Sequence, residues 1–483
     1  MPLRIFRLGC ALALAATLAA YTAAITLDRK ASLDRISAQS LQGHVWFLAS
    51  DLLEGRDTPS RGLDVAAEYI AAQFRRAGLK PVGDDGYFQT AHFVDTKQSL
   101  DGAELTVDDL RIGKSELGIL SAGKADFSGV APWKVTLKDV TPEQVEGKVI
   151  IAAVERRAEV GRLTGLKPAA VLLAYSRPSR AAEPTHRLQD AEQRRSFPII
   201  RVYSREFSKL VQAAKPGEMG VRLSLHLPPP TETDVTLRNV AGVLPGSDPT
   251  LAGTYVMLTA HYDHLGKKPD GDGDLVYNGA NDDASGVASV IEVAAALAAA
   301  KPAPRRSVLF MAYFGEEKGL LGSRYYGRHP LVSLRNTVAD LNLEHLGRTD
   351  GDTGKQVGTA TMTGFGYSDI TRAFELAGKA TGLKIYRPEN NADDYFARSD
   401  NQALADLGVP STTLLTVFEF PDYHKVGDEW DKLDYPNLAR VDRTIALTVM
   451  MIGDDPEPPH WNEANPKTEK YIRAWRQMTG PQP

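Results

Sequence analysis

Five short segments in the second half of this 483-residue chain carry side chains that can hold metal ions. They are His261-Tyr262-Asp263-His264, Asn281-Asp282-Asp283, Gly315-Glu316-Glu317, the single Glu344, and His424. Imidazole nitrogen and carboxylate oxygen are ready donors to zinc. Two histidines and three carboxylates can hold a pair of zinc ions about 3.5–4 Å apart when one carboxylate bridges them. Thiolate chemistry is excluded in a processed chain, because the only cysteine, Cys10, lies inside an apolar N-terminal stretch.

The elements around these segments explain how distant residues can meet. Apolar runs at 255–259, 307–314, 338–343 and 412–418 read as strands, and an Ala- and Val-rich run at 283–299 reads as a helix. Near the end, Leu438, Val441, Ile445 and Val449 mark one helix face. This alternation predicts an α/β fold, a three-layer sandwich with a mixed sheet between helices. Ligands in such sheets bind beyond the carboxyl ends of the strands. The five segments fall at strand ends or helix starts, where one mouth of the sheet can gather them. Upstream, a helix is expected over 37–53. A second is marked by Val65, Tyr69, Ile70 and Phe74, with Gly78 as its stop. Residues 101–235 change character, with short β-like runs at 149–154, 170–174 and 198–202 and a closing Pro228-Pro229-Pro230. The expected organisation is a leader over 1–27, a first catalytic part over 36–100, an inserted β-rich module over 101–235, a second catalytic part over 236–453, and a Pro-rich tail over 454–483 read as a surface strap or a partly mobile end.

Composition narrows the function classes. The chain is 43% hydrophobic and 24% charged with a formal net charge of -5, so nothing in the overall charge attracts nucleic acid or an anionic membrane. Arg4 and Arg7 precede an apolar stretch from Leu8 to Leu27 with small residues at Ala23 and Ala24. That pattern describes a secretory signal peptide, hence export to the periplasm or outside. An uncleaved anchor is the alternative, since the stretch approaches membrane-spanning length. A lipid on Cys10 is a third reading.

The segments Ala260-His261-Tyr262-Asp263-His264, Asn278 to Gly286, and Gly315 to Ser323 resemble the co-catalytic di-zinc aminopeptidases, a family that includes glutamate carboxypeptidase and the glutaminyl cyclases. The resemblance covers about residues 41–453 apart from the middle module, which itself resembles a protease-associated domain. It implies an exopeptidase acting on peptides with two zinc ions per chain. His261 would be a ligand of one zinc, Asp282 the bridging carboxylate, Glu317 a ligand of the other zinc, and His424 the last ligand. Glu344 stands where the family usually has Asp, and Asn401 where His is more usual. Asp263 would orient His261. Zinc lowers the pKa of bound water to about 7 and polarises a carbonyl, which answers the two weaknesses of peptide hydrolysis. A carboxylate outside the metal shell can then carry the proton, and the resemblance gives that role to Glu316. Tyr423 would stabilise the oxyanion.

Plainer readings stand beside these. His264 and His345 read as hydrogen-bonded histidines that happen to lie beside ligand candidates. Asp270, Asp272 and Asp274 alternate with Gly as in a calcium loop, but Leu275 stands where that loop needs Gly, so a solvated turn is expected. Asp283 suits the start of a helix. Competing functions are a carboxypeptidase, dipeptidase or deacylase with the same metals, and a non-catalytic binding homologue. Retention of all five ligand types and of Glu316 disfavours the last.

Overall fold

The computed structural model describes residues 27–154, 157–163, 165–175, 185–194, 197–351, 354–388 and 392–480. The leader, including Cys10, lies outside them apart from Leu27. The chain forms two compact units, one of residues 1–91 with 237–483 and the other of residues 92–236.

The first unit is built on a mixed sheet. Six of the ten strands in this sheet position the site: β1 (Thr231–Leu244, which begins in the other unit), β2 (Tyr255–His261), β3 (Ser307–Tyr313), β4 (Thr337–Leu343), β5 (Thr359–Met362) and β6 (Ser411–Leu415), in the spatial order β1-β3-β2-β4-β6-β5. The four central strands β3, β2, β4 and β6 run parallel, with β1 and β5 antiparallel at either side. Every residue of β3 and β6 is buried, as expected where helices cover both faces of a sheet. On one face Met257, Leu309, Met311 and Tyr313 pack with Tyr326 and Leu404. Helix α3 (Ser285–Ala299) contacts β2, β3 and β4, and is buried almost all round by α1 (Ala38–Leu48), α2 (Arg61–Ala77) and α5 (Tyr435–Asp454), on which α4 (Ile370–Thr381) also packs. Because the central strands are parallel, their carboxyl ends share one edge, so residues 261, 314–317, 344 and 416 come together whatever their separation in the chain.

Local sequence explains the boundaries. Ser60 caps α2 by accepting the Leu63 N–H at 3.1 Å, and Gly78 ends it in the left-handed conformation. The helix expected over 37–53 stops at Leu48. Ser50 instead caps a tight turn over Asp51–Arg56 in which Glu54, Gly55 and Arg56 all have positive φ. Gly55 is required there, since a Cβ would lie 2.2 Å from the Gly266 carbonyl oxygen. The tail, expected as a surface strap or partly mobile, contains regular structure. It forms helix α6 (Glu469–Thr479), with Tyr471 buried on Trp461 and Phe396.

The second unit has a six-stranded mixed sheet that includes Val149–Ala153, Ala170–Ala174 and Ile199–Val202 side by side in parallel. A four-stranded antiparallel sheet lies in the same unit, and the two share a core around Leu105, Ile151, Leu172 and Phe207. No helix among the described residues is long and apolar enough to cross a membrane.

Candidate metal centre

His261 is the last residue of β2, and its Nδ1 hydrogen-bonds the Asp263 backbone oxygen at 3.2 Å. The carboxylate expected to orient this ring is slightly farther, with Oδ1 at 3.5 Å from Nδ1. With Nδ1 occupied, Nε2 faces the cleft and lies 3.2 Å from Asp282 Oδ1 and 3.9 Å from Glu344 Oε1. The other oxygen of Asp282 faces a second set. His424 Nε2 is 3.2 Å from Asp282 Oδ2 and 3.3 Å from Glu317 Oε1. The two oxygens of Asp282 thus address separate donor sets, the arrangement a bridging carboxylate needs.

Several devices hold these residues. Asp428, fully buried, accepts the backbone N–H groups of Asn281 and Asp282 at 3.0 Å. Asn281 Oδ1 accepts from Gly347 and Arg348 at 2.8 and 2.9 Å, tying the bridging loop to the segment after Glu344. Asp283 turns away from the donor atoms and accepts the Gly286 N–H at 3.0 Å at the start of α3. Glu344 follows β4 directly, and the Ser399 hydroxyl donates to its carboxylate. Arg56 is buried, and its guanidinium donates to the carbonyls of Leu48, Tyr262, Asn278 and Gly279. Burial lowers its pKa to about 10, opposed by Asp263 and Asp428. Asn401 is engaged in the core by the Thr413 hydroxyl and the Phe396 carbonyl.

Glu316 and Glu317 follow β3 at a turn that Gly315 enters with φ +67. The Glu316 N–H donates to Asp263 Oδ1 at 3.0 Å. Its side chain lines a cleft of about 480 Å³ together with His261, Asp282, Glu344, Tyr423 and His424. Burial pushes the Glu316 carboxyl well above its ordinary value, with His261 opposing and Glu344 adding repulsion. Tyr423 stacks on the His424 ring at 4.0 Å between centroids, and its hydroxyl lies 3.4 Å from Arg398.

Two histidines given a plain hydrogen-bonded reading lie inside this cluster. His345 donates through Nδ1 to the Phe418 carbonyl at 2.9 Å and turns Nε2 toward Asp282 Oδ2 at 3.7 Å. His264 Nδ1 stands 2.9 Å from Glu317 Oε1, yet neither atom makes a hydrogen bond. Buried donors and acceptors without partners are costly, so convergent unpartnered nitrogen and oxygen fit a coordinated cation. Zinc suits that donor set. The Asp270–Asp274 loop is exposed, as expected for a solvated turn.

An α/β sheet whose carboxyl edge gathers imidazoles around one two-faced carboxylate is the architecture of a metal-dependent enzyme. Comparisons with known proteins narrow this. Residues 239–449 match the model of Peptidase family M28. A "Probable zinc metalloprotease" of Pyrenophora tritici-repentis is 38% identical over 272 residues, covering 47% of this chain and 53% of the relative. The chain therefore spans about half the length of that relative. A "probable leucine aminopeptidase 2" of Aspergillus oryzae is 24% identical over 352 residues, 65% of this chain and 64% of the relative. Among solved structures, the aminopeptidase from Aneurinibacillus sp. strain AM-1 shares the fold with a TM-score of 0.55 at 17% identity, covering 89% of this chain and 96% of that one.

Proposed function

We propose that this chain is an exported zinc-dependent exopeptidase, an aminopeptidase that removes N-terminal residues from peptides with two zinc ions per molecule. The supporting observation is the pair of donor sets on opposite oxygens of Asp282, with Glu316 beside them in the cleft wall. His261, Asp282 and Glu344 would hold one ion, and Asp282, Glu317 and His424 the other. When bound, zinc polarises the scissile carbonyl and makes water a nucleophile near neutral pH. Glu316 is the base. It accepts the proton of water entering the cleft and passes it to the leaving amine. Its backbone N–H is held by Asp263, which ties the Glu316 main chain to the segment that carries His261. Tyr423 and His345 border the same cleft, placed to steady the carbonyl oxygen as charge develops. The relatives named as a zinc metalloprotease and a leucine aminopeptidase agree in substrate class. Export rests on the leader pattern in the sequence, and the inserted unit reads as a protease-associated domain.

Arg398 favours a second reading. It lines the cleft, half-exposed, close to Tyr423, where it can meet a substrate carboxylate as in a carboxypeptidase or dipeptidase. One panel separates the two. Aminoacyl amides with free and with acylated amines, alongside free dipeptides, are assayed before and after chelation. An aminopeptidase cleaves the free-amine amides, loses activity to chelator and regains it with zinc. Preferential cleavage of acylated substrates or free dipeptides rejects the aminopeptidase assignment.

A further inference from the structure

We propose that His264 is itself a metal ligand, joining Asp282, Glu317 and His424 at one position and leaving the His261–Asp282–Glu344 position with three protein donors. The inference rests on the two-metal reading above.

His264 follows β2 and is fully buried, and neither of its ring nitrogens has a hydrogen-bond partner. Nδ1 lies 2.9 Å from Glu317 Oε1 and 3.9 Å from Asp282 Oδ2. Atoms of these three residues all fall within 4.8 Å of one another. The two atoms stand 2.9 Å apart without hydrogen-bond geometry between them, and a cation held by both would satisfy each. The ring is not free to seek another partner. It packs on Gly279, where an added Cβ would be 2.5 Å from His264 Cγ. The His264 backbone N–H donates to the Arg56 carbonyl at 3.2 Å, and the Arg56 side chain clamps the carbonyls of Tyr262, Asn278 and Gly279.

His424 reaches the same two carboxylate oxygens, with its ring 5.8 Å from that of His264. The two imidazoles differ in kind. His264 is locked in the interior, whereas His424 is 38% exposed at a residue with φ +55. Four protein donors make a closed tetrahedral site of the structural type, while three leave a place for water or substrate. The Glu317 position is then the tighter and first-filled of the two. The open coordination place belongs to the His261–Glu344 position, which faces the cleft beside Glu316.

The test counts imidazoles by X-ray absorption on purified full-length protein, stripped and reloaded with one equivalent of zinc. Two imidazoles per zinc are expected in the natural protein and one in His264→Ala. A chelator-competition titration should show the tighter of two affinities weakened about tenfold or more in the variant. One imidazole in the natural protein at one equivalent overturns the proposal without need of the variant. Unchanged affinity in a folded His264→Ala does the same. A natural protein that takes up no zinc fails the two-metal reading instead.

Discussion

Asp263→Asn isolates charge from geometry at the point where the cluster is tied together. The Asp263 side chain accepts the Glu316 N–H at 3.0 Å and the Thr58 hydroxyl at 3.2 Å, and lies 3.5 Å from His261 Nδ1. An asparagine retains one oxygen for Glu316, and the Thr58 hydroxyl can reverse to accept from the amide. The ring hydrogen of His261 keeps its partner, because the Asp263 backbone carbonyl takes it at 3.2 Å. What disappears is a negative charge beside the imidazole. Two full charges at that separation interact by about 5 kcal/mol at an effective dielectric of 20, an upper bound for a neutral ring. Partners behind metal-binding histidines are worth about 10–100-fold in affinity, or roughly 1.4–2.7 kcal/mol. With the tautomer already fixed by the main chain, the expected loss is near the lower end, about tenfold, and confined to the metal held by His261. Chelator competition on the stripped variant, resolving both affinities, measures it. A loss of a thousandfold, or an equal loss at both positions, refutes the reasoning, since either means the carboxylate sets the ring geometry.

Glu316→Gln should retain metal while kcat falls about 10²–10⁴-fold, the usual worth of a general base; substantial residual hydrolysis removes Glu316 from that role. Arg56→Met leaves the carbonyls of Leu48, Tyr262, Asn278 and Gly279 without their donor and should destabilise the fold by about 3–5 kcal/mol, read from denaturant unfolding. Stability within about 1 kcal/mol of the natural protein would show the clamp to be dispensable. Asp340 is buried, and its pKa rises from 3.8 to about 7 through burial, partly offset by the Thr259 hydroxyl. A carboxyl raised in the folded state binds more protons there than when unfolded, so its contribution is present below pH 4 and lost as pH climbs toward 7. Asp340→Asn removes that slope, worth on the order of 4 kcal/mol, and should gain on the natural protein between pH 4 and 8. Parallel stability profiles would contradict this.

The parts of the site legible in the sequence are those that parallel strands deliver. His261 ends β2, Glu317 lies past β3 and Glu344 past β4, so an apolar run followed by a donor announces each. Residues that act by reaching across loops carry no such mark. Arg56 contacts Gly279, 223 positions away, and Asp428 meets Asn281 from 147 positions away. Neither lies beside a strand end, and each needs the turn geometry before its partner exists. His264 and His345 were visible but ambiguous, because a histidine next to a ligand is as well explained by a hydrogen bond. Only the orphaned ring nitrogens of His264 separate the cases. Helix α6 did leave a signal, since Tyr471, Ile472, Trp475 and Met478 recur at three- and four-residue spacing. The prolines before them made the whole tail read as a strap.

The deepest division at this site lies between neighbours of identical chemistry. Burial alone would raise both Glu316 and Glu317. For Glu317 burial and Asp282 are outweighed by His264 and His424, and its carboxyl falls to about 2. For Glu316 burial prevails over the attraction of His261, with Glu344 and Asp400 adding to it, and its carboxyl is held well above the ordinary range. Pairs of acids pushed apart by environment mark divided acid–base roles. Here the division follows from one turn. Gly315 at φ +67 ends the strand, and the Glu316 carbonyl accepts from Gly319 and Leu320, so adjacent side chains leave the backbone on different headings. One carboxyl meets the histidines and stays ionised, as a metal donor must. The other meets the cleft, in surroundings that favour holding a proton. A residue with a Cβ at position 315 would lie 3.0 Å from Leu321 Cβ and resist that φ. The separation of donor from base therefore rests on a glycine that touches neither substrate nor metal.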